Sequence, residues 1–126
     1  REIECGIIGN SNLSTSEIGE VKCDNDWYDY DSKYNLNSKI IIPAEIDPEI
    51  TKQIKEIAIQ SCKALNIFGF ARVDFFLEKF SNKIFINEIN TIPGFTKNSM
   101  FPMLWKASGL NIEELVAKMV DISLNL

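Results

Sequence analysis

Ala71–Asn90 restricts the fold more than any other part of this sequence. Ala71–Leu77 and Ile84–Asn90 read as strands, rich in β-branched and aromatic residues, and the polar "EKFSNK" joins them. A five-residue loop, Lys79–Lys83, makes them a hairpin. With its turn centred on Ser81, Asp74 lies opposite Glu88 and Arg72 lies opposite Asn90. Strand side chains share a face every second residue, so these four project together. The apolar run Ile84, Phe85, Ile86 is expected to be buried, yet the strand ends in Glu88 and Asn90 before the Pro93-Gly94 turn.

Directly opposed carboxylates, with Cβ atoms about 4.5–5.5 Å apart, repel one another. Either Arg72 or a lysine neutralises Asp74 and Glu88, or divalent cations sit between them. Two carboxylates and an amide (Asp74, Glu88, Asn90) are hard oxygen donors of the kind Mg²⁺ takes, and they leave room in its shell for nucleotide phosphates. Arg72 beside them offers a planar fork suited to phosphate or a developing oxyanion. The backbone N–H of Gly94, in its tight turn, is available to the same space. Ser99 either hydrogen-bonds a small anionic substrate or caps the next helix.

The remaining elements frame this hairpin. Glu2–Ile8 reads as a strand closed by Gly9-Asn10, a second strand is expected near Ile18–Val21, and "KIIIP" is a short strand stopped by Pro43. Asp47 followed by Pro48 starts a helix that carries Ile50, Ile54, Ile57, Ala58 and Leu65 on one side. A short helix is expected at Ser99–Ala107, and a last one begins at Asn111, with Glu114 completing a capping box. The class is α+β, a mainly antiparallel sheet packed with helices. Residues 24–39, "DNDWYDYDSKYNLNSK", lack periodicity and exceed the roughly 12–15 residues beyond which loops tend to be functional. In that loop Lys33 is either a solvated charge or part of a lid over phosphate, with Tyr34 beside it. Trp27 is an aromatic plug or a wall for a base, and Phe76 is core or the floor under a base.

Composition excludes several classes. Thirteen basic against 18 acidic residues give a net charge of −5, without the basic footprint of nucleic-acid binding. There is no histidine, and Cys5, Cys23 and Cys62 show no paired spacing, so a zinc site of the usual kinds is not expected and free buried thiols are. No stretch approaches the ~20 apolar residues of a membrane span, so no membrane partner is expected. The chain opens on Arg1 rather than Met, as expected of a piece of a longer protein.

"REIECGIIGN", "WYDYDSKY", "GFARVDFFL" and "INEINTIPGFTKNSMFPMLWKASG" occur in order over nearly the whole chain. Together they resemble the C-terminal part of D-alanine–D-alanine ligases of the ATP-grasp superfamily. The resemblance implies that residues 1–126 are the C-terminal portion of an ATP-grasp domain, with a long lid loop at 24–39 and a metal-binding hairpin at 71–90. The N-terminal domain and glycine-rich subdomain would be absent. It implies Asp74, Glu88 and Asn90 as ligands of two Mg²⁺ ions (Mn²⁺ being an alternative), with Glu88 bridging. Arg72 and the Gly94 amide would stabilise an oxyanion, and Ser99 would hold the carboxylate of the second D-alanine. Lys33 would reach the γ-phosphate and Tyr34 would close the first substrate site. Glu2 would bind the ribose of ATP, and Trp27 and Phe76 would line the adenine pocket. The implied reaction joins two D-alanines through an acyl phosphate, for peptidoglycan precursors, in a cytoplasmic enzyme that is a homodimer at full length. This chain alone is expected to be inactive. A D-Ala–D-Ser ligase, another ATP-grasp carboxylate–amine ligase and a non-catalytic nucleotide-binding module are the alternatives. Asn87 departs from the pattern, standing where an apolar residue is common.

Overall fold

The computed structural model describes residues 1–23 and 38–125. Five strands form one antiparallel sheet: β1 (Glu2–Gly9), β2 (Leu13–Cys23), β3 (Ser38–Ile41), β4 (Gly69–Leu77) and β5 (Ile84–Asn90), in the order β3-β2-β1-β4-β5. Helix α1 (Pro48–Ala64) covers one face, and α2 (Met100–Ala107) and α3 (Ile112–Leu124) cover part of the other. Mainly antiparallel sheet with packed helices is therefore the observed architecture. Two boundaries differ from expectation. β2 extends well beyond Ile18–Val21, and the expected "KIIIP" strand begins one residue earlier, at Ser38, and ends at Ile41. Residues 24–37 of the expected long loop, with Trp27, Lys33 and Tyr34, lie outside the described residues.

Local chemistry explains the helix ends. The Asp47 side chain accepts from the Glu49 amide, and Pro48 fills the first helical position, where no N–H is needed. Asn111 and Glu114 exchange side-chain-to-backbone bonds of 2.9 and 3.0 Å, which starts α3 as a capping box.

Period-two alternation sorts the sheet into two faces. Odd residues of the central strands, Ile3, Cys5, Ile7, Val73, Phe75 and Leu77, are buried with Ile54, Ala58 and Cys62 of α1. Each such large aliphatic or aromatic side chain contributes about 1.5–3 kcal/mol of burial. The even face changes character along its length. At one end Ile8 is buried with Phe101, Trp105 and Leu115, and Phe70 packs against them. Next comes Gly6, where an added Cβ would lie 2.8 Å from Trp105 Nε1. Beyond that point the helices stop and the face opens, and its side chains become Glu4, Glu2, Arg72 and Asp74.

β5 is an edge strand. Phe85 and Ile86 are 51% and 48% exposed, so the expected burial fails for these two, while Ile84 packs partly buried against the core. Cys23 is exposed, unlike the buried Cys5 and Cys62, although all three are free thiols. No helix among the described residues is long and apolar enough to cross a membrane.

Candidate active site

Three transverse rows make the open half of the sheet into a cavity of about 510 Å³. Registration across β1, β4 and β5 sets Gly6 against Arg72 and Arg72 against Asn90. One step further along the same face, Glu4 opposes Asp74 and Asp74 opposes Glu88. The third row is Glu2, Phe76 and Phe85. The expected partners Arg72–Asn90 and Asp74–Glu88 are thus in place. Beyond them the register slips at a bulge between Asp74 and Phe75, which pairs Phe75 with Ile86 and Phe76 with Phe85. The residue left over is Asn87, which lines the cavity. A bulge carries one unpaired residue and re-aims its neighbours, which accounts for an amide where alternation would put an apolar side chain.

The charges do not balance within the cavity. Among its described lining residues are four carboxylates, Glu2, Glu4, Asp74 and Glu88, and one cation, Arg72. Arg72 Nε donates to Asp74 Oδ1 at 2.7 Å and Nη2 donates to Oδ2 at 2.8 Å, a two-point ion pair. The same Nε lies 3.1 Å from Glu4 Oε2. Burial on its own would lower the Arg72 pKa, but the hydrogen bonds to Asp74 and the fields of Glu4, Asp74 and Glu88 outweigh it, and the net shift is upward. Of the two sequence-based readings of the acid pair, neutralisation by Arg72 therefore holds for Asp74. Its carboxylate keeps lone pairs beyond the two that Arg72 uses.

Asn90 Oδ1 accepts from the Ile92 amide at 3.0 Å, which fixes the amide at the mouth of the turn. Gly94, Ser99 and Met100 close the far wall. Ser99 occupies the N-cap of α2 but makes no side-chain capping bond. Its Oγ accepts from the Thr96 amide at 3.0 Å and lies 2.8 Å from Thr96 Oγ1. The first amides of α2 thus lack a side-chain cap beside the cavity, where a helix N-terminus favours an anion. A Cβ at Gly94 would approach Ser99 Oγ to 3.1 Å, so this wall is closely fitted. At the opposite end Phe76 is 40% exposed into the cavity beside Glu2, with Val21 and Ile40 across from it. Phe76 is therefore not core, and it offers a flat apolar surface next to an acid.

The donor chemistry fits Mg²⁺ in one sense only. Asp74 and Glu88 present hard oxygens into the cavity, and the carboxylate surplus calls for cations; Asn90, paired with Arg72, lies outside the cavity lining, with its Oδ1 on the Ile92 amide. Among the described residues no group of three or more His, Cys, Asp or Glu side chains converges to cage an ion. An ion sharing its shell with substrate phosphates and water is what the set suits. Glu4 is the residue that sequence reasoning missed here. The alternation of Glu2 and Glu4 around Ile3 placed two acids on one face, but nothing local showed that β4 lies beside them.

The fold is shared with known proteins. The family model of the D-ala D-ala ligase C-terminus matches residues 1–121. A D-alanine–D-alanine ligase of Prochlorococcus marinus (strain MIT 9215) is 83% identical over 126 residues, covering 100% of this chain and 36% of the relative. A second, from strain MIT 9515, is 74% identical over 125 residues, covering 99% of the chain and 35% of the relative. The chain thus spans just over a third of the length of these relatives. Among solved structures, the VanG D-Ala:D-Ser ligase from Enterococcus faecalis has a TM-score of 0.84 at 39% identity, over 96% of this chain and 35% of that one. The D-alanine–D-alanine ligase from Coxiella burnetii also has a TM-score of 0.84, at 37% identity over 99% of this chain and 32% of that one. With the family match running from the start of β1 through most of α3, the chain belongs to the family of D-alanine–D-alanine ligase C-terminal regions.

Proposed function

We propose that this chain is the C-terminal portion of an ATP-grasp ligase that joins two D-alanines into D-alanyl-D-alanine at the expense of ATP. The N-terminal domain and the glycine-rich subdomain belong to the rest of the protein, which acts in the cytoplasm as a homodimer. The observation that carries this reading is the acid row Glu4, Asp74, Glu88 beside Arg72 and Asn90 on the uncovered part of the sheet.

Asp74, Glu88 and Asn90 hold Mg²⁺, which when bound offsets charge on the transferring phosphate. The stacking surface of Phe76 takes the adenine and Glu2 takes the ribose, at the end of the cavity away from α2. ATP then lies along β4 with its phosphates toward Asp74 and Glu88. The carboxylate of the first D-alanine attacks the γ-phosphorus, ADP departs and an acyl phosphate forms. The amine of the second D-alanine adds to the acyl carbon, losing a proton, and phosphate leaves as the amide forms. Arg72 and the Gly94 N–H stabilise the oxyanion of that tetrahedral stage. Ser99 and the first amides of α2 hold the carboxylate of the second D-alanine, which aims its amine at the acyl carbon. The roles of Lys33, Tyr34 and Trp27, which fall in the sequence between β2 and β3, are toward γ-phosphate, first substrate and adenine respectively.

Phosphate release by the full-length protein, supplied with ATP, Mg²⁺ and D-alanine, tests this reading. D-Serine or D-lactate is then offered as the second substrate. D-Alanine is expected to give the highest kcat/KM. A preference for D-serine would move the protein to the alternative represented by the Enterococcus faecalis relative, and no release with any pair would refute the reading and leave another ATP-grasp carboxylate–amine ligase or a nucleotide-binding module.

A further inference from the structure

Arg72 faces two carboxylates, and only one of them belongs to the proposed metal set. Asp74 holds the guanidinium with both oxygens, while Glu4 touches the same Nε at 3.1 Å from the neighbouring strand. The three side chains are 12–16% exposed, so the contacts are shielded from bulk water and their geometry matters. A divalent ion on the remaining lone pairs of Asp74 would repel the guanidinium held on both of its oxygens, which weakens the Asp74–Arg72 pair. Glu4 sits directly across from Asp74 in the β1–β4 register, and Glu88 lies on the other side of Asp74. Among the described residues, the carboxylate outside the proposed metal set that already touches this guanidinium is Glu4.

We propose that Glu4 is a positioning residue that takes over the Arg72 guanidinium when Asp74 turns its oxygens to a divalent cation. This rests on the metal assignment made above. The exchange keeps Arg72 paired and on the same face in both states. It lets the metal bind without ejecting the arginine from the place where the oxyanion develops. Before the metal arrives, the Asp74–Arg72 pair keeps the acid row from repelling itself apart. Glu4 thereby links metal binding to the placement of a catalytic group.

The test is Mn²⁺ affinity, read by electron paramagnetic resonance on full-length protein with a non-hydrolysable ATP analogue, so that no turnover is needed. Glu4→Gln is isosteric and is expected to weaken Mn²⁺ binding about threefold to tenfold, the scale of coupling between contacting residues. In an Arg72→Met background the same change is expected to alter affinity less than about twofold, because the arginine through which Glu4 acts is gone. Glu4→Asp keeps the charge but withdraws it from Nε, and is expected to behave like Glu4→Gln. It serves as a second variant should the first fail to fold. In steady-state assays Glu4→Gln is expected to lower kcat while leaving KM for ATP within about twofold. An equal loss of Mn²⁺ affinity in both backgrounds, or retention of affinity in Glu4→Asp, overturns the proposal in favour of a simple field effect. Unchanged affinity in Glu4→Gln with weakened binding in Asp74→Asn overturns it while sparing the metal site. Unchanged affinity in Asp74→Asn overturns the metal assignment itself.

Discussion

Removing the cation from the acid row should cost more than removing one of the acids. Arg72 satisfies Asp74 twice and Glu4 once, and its loss leaves Glu4, Asp74 and Glu88 in one line across three strands. Two unit charges about 5 Å apart repel by ~3 kcal/mol at an effective dielectric constant of 20. Breaking a largely buried pair by deleting one member costs about 3–5 kcal/mol. Arg72→Met is therefore expected to destabilise the hairpin by ~3–5 kcal/mol without divalent metal. Asp74→Asn keeps an oxygen for the guanidinium, and Glu4 keeps the charge pair, so its cost is expected near 1–2 kcal/mol. Mg²⁺ with nucleotide should restore part of the loss in Arg72→Met, up to ~2.7 kcal/mol at a hundredfold excess over Kd. A long multidomain chain does not unfold in one step, so the assay is native-state hydrogen exchange of the β4 and β5 amides in the full-length protein, in EDTA and then in Mg²⁺. An Asp74→Asn variant that opens as readily as Arg72→Met would refute the idea that one arginine serves a row of acids.

Three further outcomes follow from the packing and the charges. Gly6→Ala should destabilise by about 1–3 kcal/mol, read by native-state hydrogen exchange of the β1 amides in the full-length protein, because its methyl would meet Trp105 Nε1 at 2.8 Å and Ser16 Oγ at 3.0 Å. Glu20, buried and accepting 2.8 and 2.7 Å bonds from Arg1, has its pKa lowered chiefly by that pairing. The stability it contributes is present above the ordinary carboxylate pKa and is lost as pH falls through the lowered value, so Glu20→Gln should flatten the acid limb of a stability–pH curve. Ser99→Ala should raise KM for the second D-alanine about tenfold or more, the worth of one hydrogen bond to a charged group, while KM for ATP changes far less.

What the sequence disclosed was the local structure. The hairpin ends at Leu77 and Ile84, the Asp47-Pro48 start and the Asn111/Glu114 box are set by residues within a few positions of one another, and all appear as expected. The inner register, Arg72 to Asn90 and Asp74 to Glu88, was equally legible. Its outer half was not, because Ile84, Phe85 and Ile86 are all apolar and carry no alternation that would reveal a one-residue slip. β2 was read short because Ser14, Thr15, Ser16 and Glu17 look like loop residues, although Ser14 and Thr15 pair with β1 and Ser16, at the register shift that follows, accepts the Gly6 amide on its Oγ at 2.8 Å. Glu4 was missed for a different reason. Its role depends on β1 lying beside β4, some seventy residues away, and long-range pairing leaves no trace in a local pattern. The acid, amide and arginine pointed to metal and phosphate by their chemistry alone, whereas D-alanine as the substrate rests on family membership.

The account stands most directly on Glu88, the carboxylate at the open edge of the acid row. D-Alanine-dependent phosphate release by the full-length enzyme at fixed Mg²⁺ should be compared between wild type and Glu88→Gln. Metal stabilisation of the transferring phosphate is worth several kcal/mol, and each ~1.4 kcal/mol is a factor of ten. A fall in kcat of roughly 10²-fold or more is therefore expected. Turnover near that of the wild type would contradict a metal–phosphate site on this face of the hairpin.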